Sequence, residues 1–303
     1  GTDSTAVLIG AGGGPTLPAV PTLGRFNHAI TYVPEFDLYL DSTSAWARPG
    51  QLPDGDLGAP VLLTGPAKLA RTPANDELRN GMGFEADFVF DAAGNLKGST
   101  RLQPGDSAEI GMRASFARLN AQNRARAEAW MVAPSGSDGQ GRLELQGDPQ
   151  DLQQPFNYTF DFSASDYVDF NLVGGMQLPD PPGAESFRNA YAATSAPDNA
   201  TPFQCDASLR QEIYRVTLPR AVPLIAVPHD QQFSNAAGQY SVSWEREGQQ
   251  VIARHRLRQN AVRGNDALCQ PADYAAFREL FQQVRRGFRG QIVYGRVPAA
   301  SGG

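Results

Sequence analysis

Apolar and polar residues alternate with a period of two along much of this chain, the spacing that puts one side of a strand on a core and the other in water. The clearest run is 84–90, where Phe84, Ala86, Phe88 and Phe90 are separated by Glu85, Asp87 and Val89. Turn residues follow at 91–95, and 96–102 returns as the partner strand. Further strands are predicted at 5–9, 61–63, 157–162 with a continuation through 172, 211–218, 240–246 and 250–258. The last two are joined by Glu247, Gly248 and Gln249, a hairpin signal. Two stretches change to the helical period. One helix is predicted over 107–131, started by Asp106 or Ser107, with Ile110, Phe116, Leu119 and Trp130 on a partial apolar face. A second opens at Gln270, with Pro271 at its first position and Asp273 in its first turn. Tyr274, Phe277, Phe281, Val284 and Phe288 recur there at three- and four-residue spacing, so this helix is expected to dock on the preceding sheet.

These elements predict an α+β fold, mostly antiparallel β, with β-rich, sandwich-like domains each carrying one packed amphipathic helix. Segment 68–80 is expected to be a linker, and 174–206, long for a loop inside a compact domain, to be a domain boundary or a functional loop. The expected domains are 1–65, 66–200 and 201–303. At 303 residues, with 41% hydrophobic and 19% charged residues, the chain can build substantial cores. Its 31 Gly and 23 Pro favour turns and short strands over long helices. The net charge of −6, with the basic residues Arg118, Arg124 and Arg126 on one predicted helix, leaves no electrostatic footprint for nucleic acid. No run of eighteen apolar residues exists to span a membrane. No signal peptide is expected within the chain, any targeting segment having preceded Gly1.

The candidate chemistry lies near the start. Residues 26–33 and 36–43 are two β-rich runs joined at Pro34 and Glu35, with His28 on the first and Asp41 on the second. A hairpin centred there pairs Val33 with Phe36, Thr31 with Leu38 and His28 with Asp41, bringing opposed Cβ atoms to about 5 Å on one face. An imidazole beside a carboxylate is the base and its orienting group in nucleophilic acyl transfer. The nucleophile is missing. Cys205 and Cys269 lie far downstream in polar, loop-like contexts that suit a surface disulfide, and such a bond points to an exported, periplasmic location. Neither has a CxxC partner and the three histidines are scattered, so no metal and no cofactor are expected.

The stretch Phe26-Asn27-His28-Ala29-Ile30 through Asp37-Leu38-Tyr39-Leu40-Asp41-Ser42-Thr43 resembles the His and Asp strands of the transglutaminase-like superfamily. It resembles in particular large bacterial proteins in which that core is flanked by β-rich domains of unknown function. The resemblance is specific over roughly 5–60 and continues more loosely through 240–258 and 269–274. It implies that 1–65 is a fragment of a transglutaminase-like sheet, truncated after a catalytic cysteine carried on an upstream helix. His28 and Asp41 are then the remaining members of a Cys-His-Asp triad. The parent would act on amide or peptide bonds of a protein or peptide substrate, and the chain alone would be inactive. Two other readings stand beside it. One is a cell-envelope binding module using the loop 174–206 with Phe187, Tyr191 and Phe203. The other is a scaffold with no enzymatic role.

Overall fold

The computed structural model of the protein describes residues 2–12, 22–77, 79–133, 138–262 and 268–295. The first sheet is built from β1 (Thr5–Ile9), β2 (His28–Val33), β3 (Leu38–Leu40), β4 (Pro60–Leu63) and β5 (Lys68–Arg71). Its order is β3-β2-β1-β4-β5, with antiparallel neighbours throughout. Val7, Ile9, Ile30, Tyr39, Val61 and Leu63 form its small core, closed by Leu52 and Ala59. The boundary expected at 65 falls one strand short, because 68–71 pairs with β4 as an edge strand. That strand is exposed along most of its length, so it carries no apolar alternation to announce it.

The second sheet has eight strands. It uses β6 (Gly81–Phe90), β7 (Leu96–Pro104), β8 (Gln140–Gln146) and β9 (Asn157–Ala164). Beyond the short strands β10 (Gly174–Met176) and β11 (Phe203–Gln204), it adds β12 (Ser208–Thr217). After β13 (Leu224–Ala226) it adds β14 (Gln231–Asn235), β15 (Gly238–Glu247) and β16 (Gln250–Gln259). The order is β14-β15-β16-β12-β6-β7-β9-β8. Thus the expected boundary at 200 does not separate two sheets, since β12 lies parallel to β6 in continuous register from Leu209↔Gly81 to Thr217↔Val89. Two features hold this junction. On the inner face Tyr214 packs edge-on to Phe84, and on the outer face Arg215 pairs with Glu85 at 2.8 Å. Two further strands, β17 (Leu268–Cys269) and β18 (Ile292–Tyr294), belong to small sheets with β11 and with β10 and β13.

One face of the large sheet is apolar and covered. The single helix expected over 107–131 is two helices, α1 (Asp106–Phe116) and α2 (Ala121–Val132). The break has a local cause. Asn120 leaves the helical conformation and its side chain accepts from the Asn123 amide at 2.9 Å, an N-cap inside the apolar stripe. The third helix, α3 (Tyr274–Phe288), buries Phe277, Leu280, Phe281, Val284 and Phe288. Its docking on the 240–258 hairpin is tight: Phe288 stacks on His255 at 3.9 Å between ring centroids. Gly287 lies so close to Tyr240 that a Cβ there would sit 1.9 Å from the phenol oxygen.

The segment 174–206 is anchored rather than loose. Phe187 is buried in the main core, Phe203 packs against Tyr274 and Phe277, and Tyr191 lies under Arg285. The three aromatics therefore face inward. The fully buried Glu212 holds the start of the segment's 3-10 helix, accepting from the Phe187 amide at 2.6 Å and the Ser186 hydroxyl at 2.8 Å. It also accepts from the Tyr214 hydroxyl at 2.7 Å. Burial pushes its carboxyl up to about 7, against the opposing pull of these donors and of Arg188. Cys205 and Cys269 are joined in a disulfide. It is buried rather than at the surface, because β11 pairs with β17 and carries Phe203 onto α3.

Candidate functional site

His28 opens β2 and pairs with Ile9 of β1, which fixes its backbone. Asp41 follows β3 directly. The connection between β2 and β3 is a 3-10 turn over Pro34–Phe36, closed by Asp37 in the left-handed conformation at φ 47°. This turn consumes two more residues than a tight hairpin, so the observed pairs are Val33↔Leu38, Tyr32↔Tyr39 and Thr31↔Leu40. The register expected from sequence is therefore displaced by two. A displacement of two preserves the face on which every side chain lies, where one would reverse it. His28 and Asp41 consequently still meet, with Nε2 3.1 Å from Oδ1.

The carboxylate is held from the other side by its own chain. The Thr43 amide donates to Asp41 Oδ1 at 2.9 Å and the Thr43 hydroxyl donates to the same oxygen at 2.7 Å. Burial alone would raise the Asp41 carboxyl, but Thr43 and His28 together outweigh it and keep it below the ordinary carboxylate range. Side-chain exposure is 6% for Asp41 and 26% for His28, so the imidazole is the partner that reaches solvent. With Nε2 facing Asp41, Nδ1 has no hydrogen-bond partner among the described residues. The carboxylate thus favours the tautomer protonated at Nε2 and leaves the Nδ1 lone pair as the basic atom.

A third group was not anticipated from sequence. Asp56 ends a short 3-10 turn, Asp54–Asp56, in the loop between β3 and β4, and it is 3% exposed. Its Oδ2 is buried with no hydrogen-bond partner. Burial pushes its carboxyl up to about 6, Asp41's charge adds to the rise, and His28 partly opposes it. One ligand atom from each of His28, Asp41 and Asp56 lies within 4.8 Å of the others. Nothing periodic marks residue 56, and only the Asp-Gly-Asp turn composition sets it apart.

The loop that carries Asp41 and Asp56 is tied to the large sheet. Arg48 reaches Glu109 of α1 through Nε and Nη2 at 3.0 and 3.1 Å, and Gln51 donates to Glu109 at 3.2 Å. Glu109 also receives Arg113, whose side chain is fully buried, and the Phe156 amide. The cysteines play no part in this site. Both are consumed by the disulfide, so no free thiol exists in the sequence.

Residues 188–294 match the family DUF3858, described as a domain of unknown function with a solved structure. That match covers roughly a third of the chain, in the region of β11 to β18. The chain aligns, at a TM-score of 0.49 and 11% sequence identity, with a protein from Parabacteroides distasonis described as a "putative protease". The similarity takes in 97% of this chain and 40% of that one, so the chain spans less than half the length of this relative. No curated protein matches the sequence.

Proposed function

We propose that residues 2–71 carry the base and orienting carboxylate of a transglutaminase-like Cys-His-Asp centre, and that the large sheet is a non-catalytic body supporting it. One observation carries this reading: Asp41, fixed by Thr43, holds His28 through Nε2 and leaves Nδ1 free to accept a proton. In the reaction proposed, Nδ1 takes the proton of a thiol and the thiolate attacks an amide carbonyl. The C–N bond then breaks, and the His28 proton passes to the leaving amine. Water or a second amine releases the acyl group, which makes the products those of hydrolysis or of transfer. The thiol comes from outside these residues, since the chain's two cysteines are bonded to each other. The substrate class is a protein or peptide. The disulfide supports an exported, periplasmic setting.

Two measurements test this. In a polypeptide that joins this chain to a thiol-bearing partner domain, His28→Ala should abolish amide cleavage or transfer. Asp41→Asn should lower it about 10²–10⁴-fold, the range lost when a catalytic imidazole lacks its charged orienting group. In the chain alone, nitrogen-15 NMR should find neutral His28 protonated on Nε2. A proton on Nδ1, or activity indifferent to His28→Ala, would overturn the reading.

A further inference from the structure

We propose that His28, Asp41 and Asp56 bind one zinc-class divalent cation, and that the bound cation switches off the base assigned to His28. The second half of this statement rests on the acyl-transfer reading; the binding itself does not.

The donor set is the first argument. An imidazole nitrogen and two carboxylate oxygens, all within 4.8 Å of one another, are ligands suited to a borderline-soft cation. The 3.1 Å between His28 Nε2 and Asp41 Oδ1 is close to the ~3.3 Å that separates two ligands around tetrahedral zinc. Three protein ligands leave a fourth position for water or a substrate atom. Calcium and magnesium are poorer occupants, because they favour oxygen cages of six or more ligands over a site containing imidazole.

The second argument is the state of Asp56. Its carboxylate is 3% exposed, and Oδ2 meets no donor. The donors of this neighbourhood, from Thr43 and His28, all go to Asp41 Oδ1. A buried carboxylate oxygen that meets no donor is costly, and a second carboxylate beside it raises the cost. A shared cation removes both penalties and draws Asp56 into the site. Metal ligation has a defined consequence for the imidazole. A neutral ring bound through Nε2 carries its proton on Nδ1, so the lone pair needed to receive a thiol proton is gone.

The test is calorimetric titration of the chelator-washed chain with zinc chloride, with calcium chloride in parallel. One zinc per chain should bind, and calcium should not compete. Asp56→Asn and His28→Gln should each weaken zinc at least 10-fold, while melting curves confirm that the variants are folded. The His28 side chain reaches solvent, so His28→Gln keeps the test open should Asp56→Asn fail to fold. On zinc addition, nitrogen-15 NMR should show the His28 proton move from Nε2 to Nδ1. No zinc uptake, or uptake unchanged in both variants, would overturn the proposal. Because binding is read on the chain alone, its failure leaves the acyl-transfer reading standing. Loss of that reading, shown by activity indifferent to His28→Ala, leaves the cation site in place.

Discussion

Arg48 grips Glu109 across the two sheets, its Nε 3.0 Å from Oε1. The guanidinium leaves from the loop that carries Asp41 and Asp56, and the carboxylate sits on α1 beneath the large sheet. Glu109 is almost fully buried, yet Arg48, Gln51, Arg113 and the Phe156 amide satisfy it so well that its carboxyl stays below the ordinary range despite burial. One side chain therefore fixes how the candidate site is presented relative to the body of the protein.

Removing Glu109 should be far worse than removing Arg48. Glu109→Ala leaves Arg113 charged and fully buried, at about 3–5 kcal/mol. Arg48 is part-exposed, and Arg48→Ala leaves Glu109 its other donors, so that change should cost about 1 kcal/mol. Urea unfolding of the two variants checks the ratio. Equal losses would mean that the Pro149, Asp151 and Gln154 carbonyls, which also accept from Arg113, suffice to hold its charge.

The face of α3 gives the second expectation. Phe281 is buried in the main core, and burying such a side chain is worth about 2 kcal/mol before the cost of an unpaired charge is added. Phe281→Asp should therefore give an unfolded or aggregated protein. Gly287→Ala is the finer probe. Its methyl group would force Tyr240 away, breaking the 2.9 Å hydrogen bond between the phenol and His255 Nδ1. Overpacking of this kind costs about 1–3 kcal/mol. A thermal melt unchanged by Gly287→Ala would mean that the helix slides without resistance on β15.

These contrasts also mark what the sequence could disclose. The alternation at 84–90 and the helical stripe from Tyr274 to Phe288 are local patterns, and both elements formed as expected. His28 and Asp41 were legible because they lie thirteen positions apart on one short hairpin, so an error of two in register still left them on one face. Pairing between distant strands leaves no such mark. β6 and β12 lie side by side although Gly81 and Leu209 are far apart in sequence, and the aperiodic stretch 174–206 ahead of β12 reads equally well as a domain boundary. Asp56 was hidden for the same reason. Its role depends on burial beside Asp41, which no periodicity within the loop encodes.

The disulfide supplies the third expectation. Cys205 and Cys269 are 64 residues apart, and closing a loop of that length stabilises the folded state by about 4 kcal/mol on a chain-entropy estimate. The bond is buried, so alkylation of the native protein should label neither cysteine, and unreduced peptide mapping should recover the cross-link. Cys205→Ala with Cys269→Ala should lower the melting temperature and loosen 174–206 to proteolysis. Two thiols alkylated without denaturant would rule out the bond and remove the support for an exported location.

Glu212 gives a pH dependence with a definite sign. In the unfolded chain its carboxyl has the ordinary value of 4.5, and burial pushes it up to about 7 in the folded protein. Between those values the folded state holds a proton that the unfolded state has released, so stability must fall as pH rises through this window. The shift corresponds to a loss on the order of 3 kcal/mol once pH exceeds the folded value. Tyr214, whose hydroxyl donates to this carboxylate and is itself held far from ionisation by burial, does not titrate in the same range. Glu212→Gln removes the titration and retains an oxygen for the Phe187 amide, while its NH2 group takes the place of the oxygen that faces Ser186 and Tyr214. Urea midpoints measured from pH 4.5 to 8 should decline more steeply for the native protein than for Glu212→Gln. Parallel profiles would mean that Glu212 keeps an ordinary acidity, with its charge fully met by Ser186, Phe187, Tyr214 and Arg188.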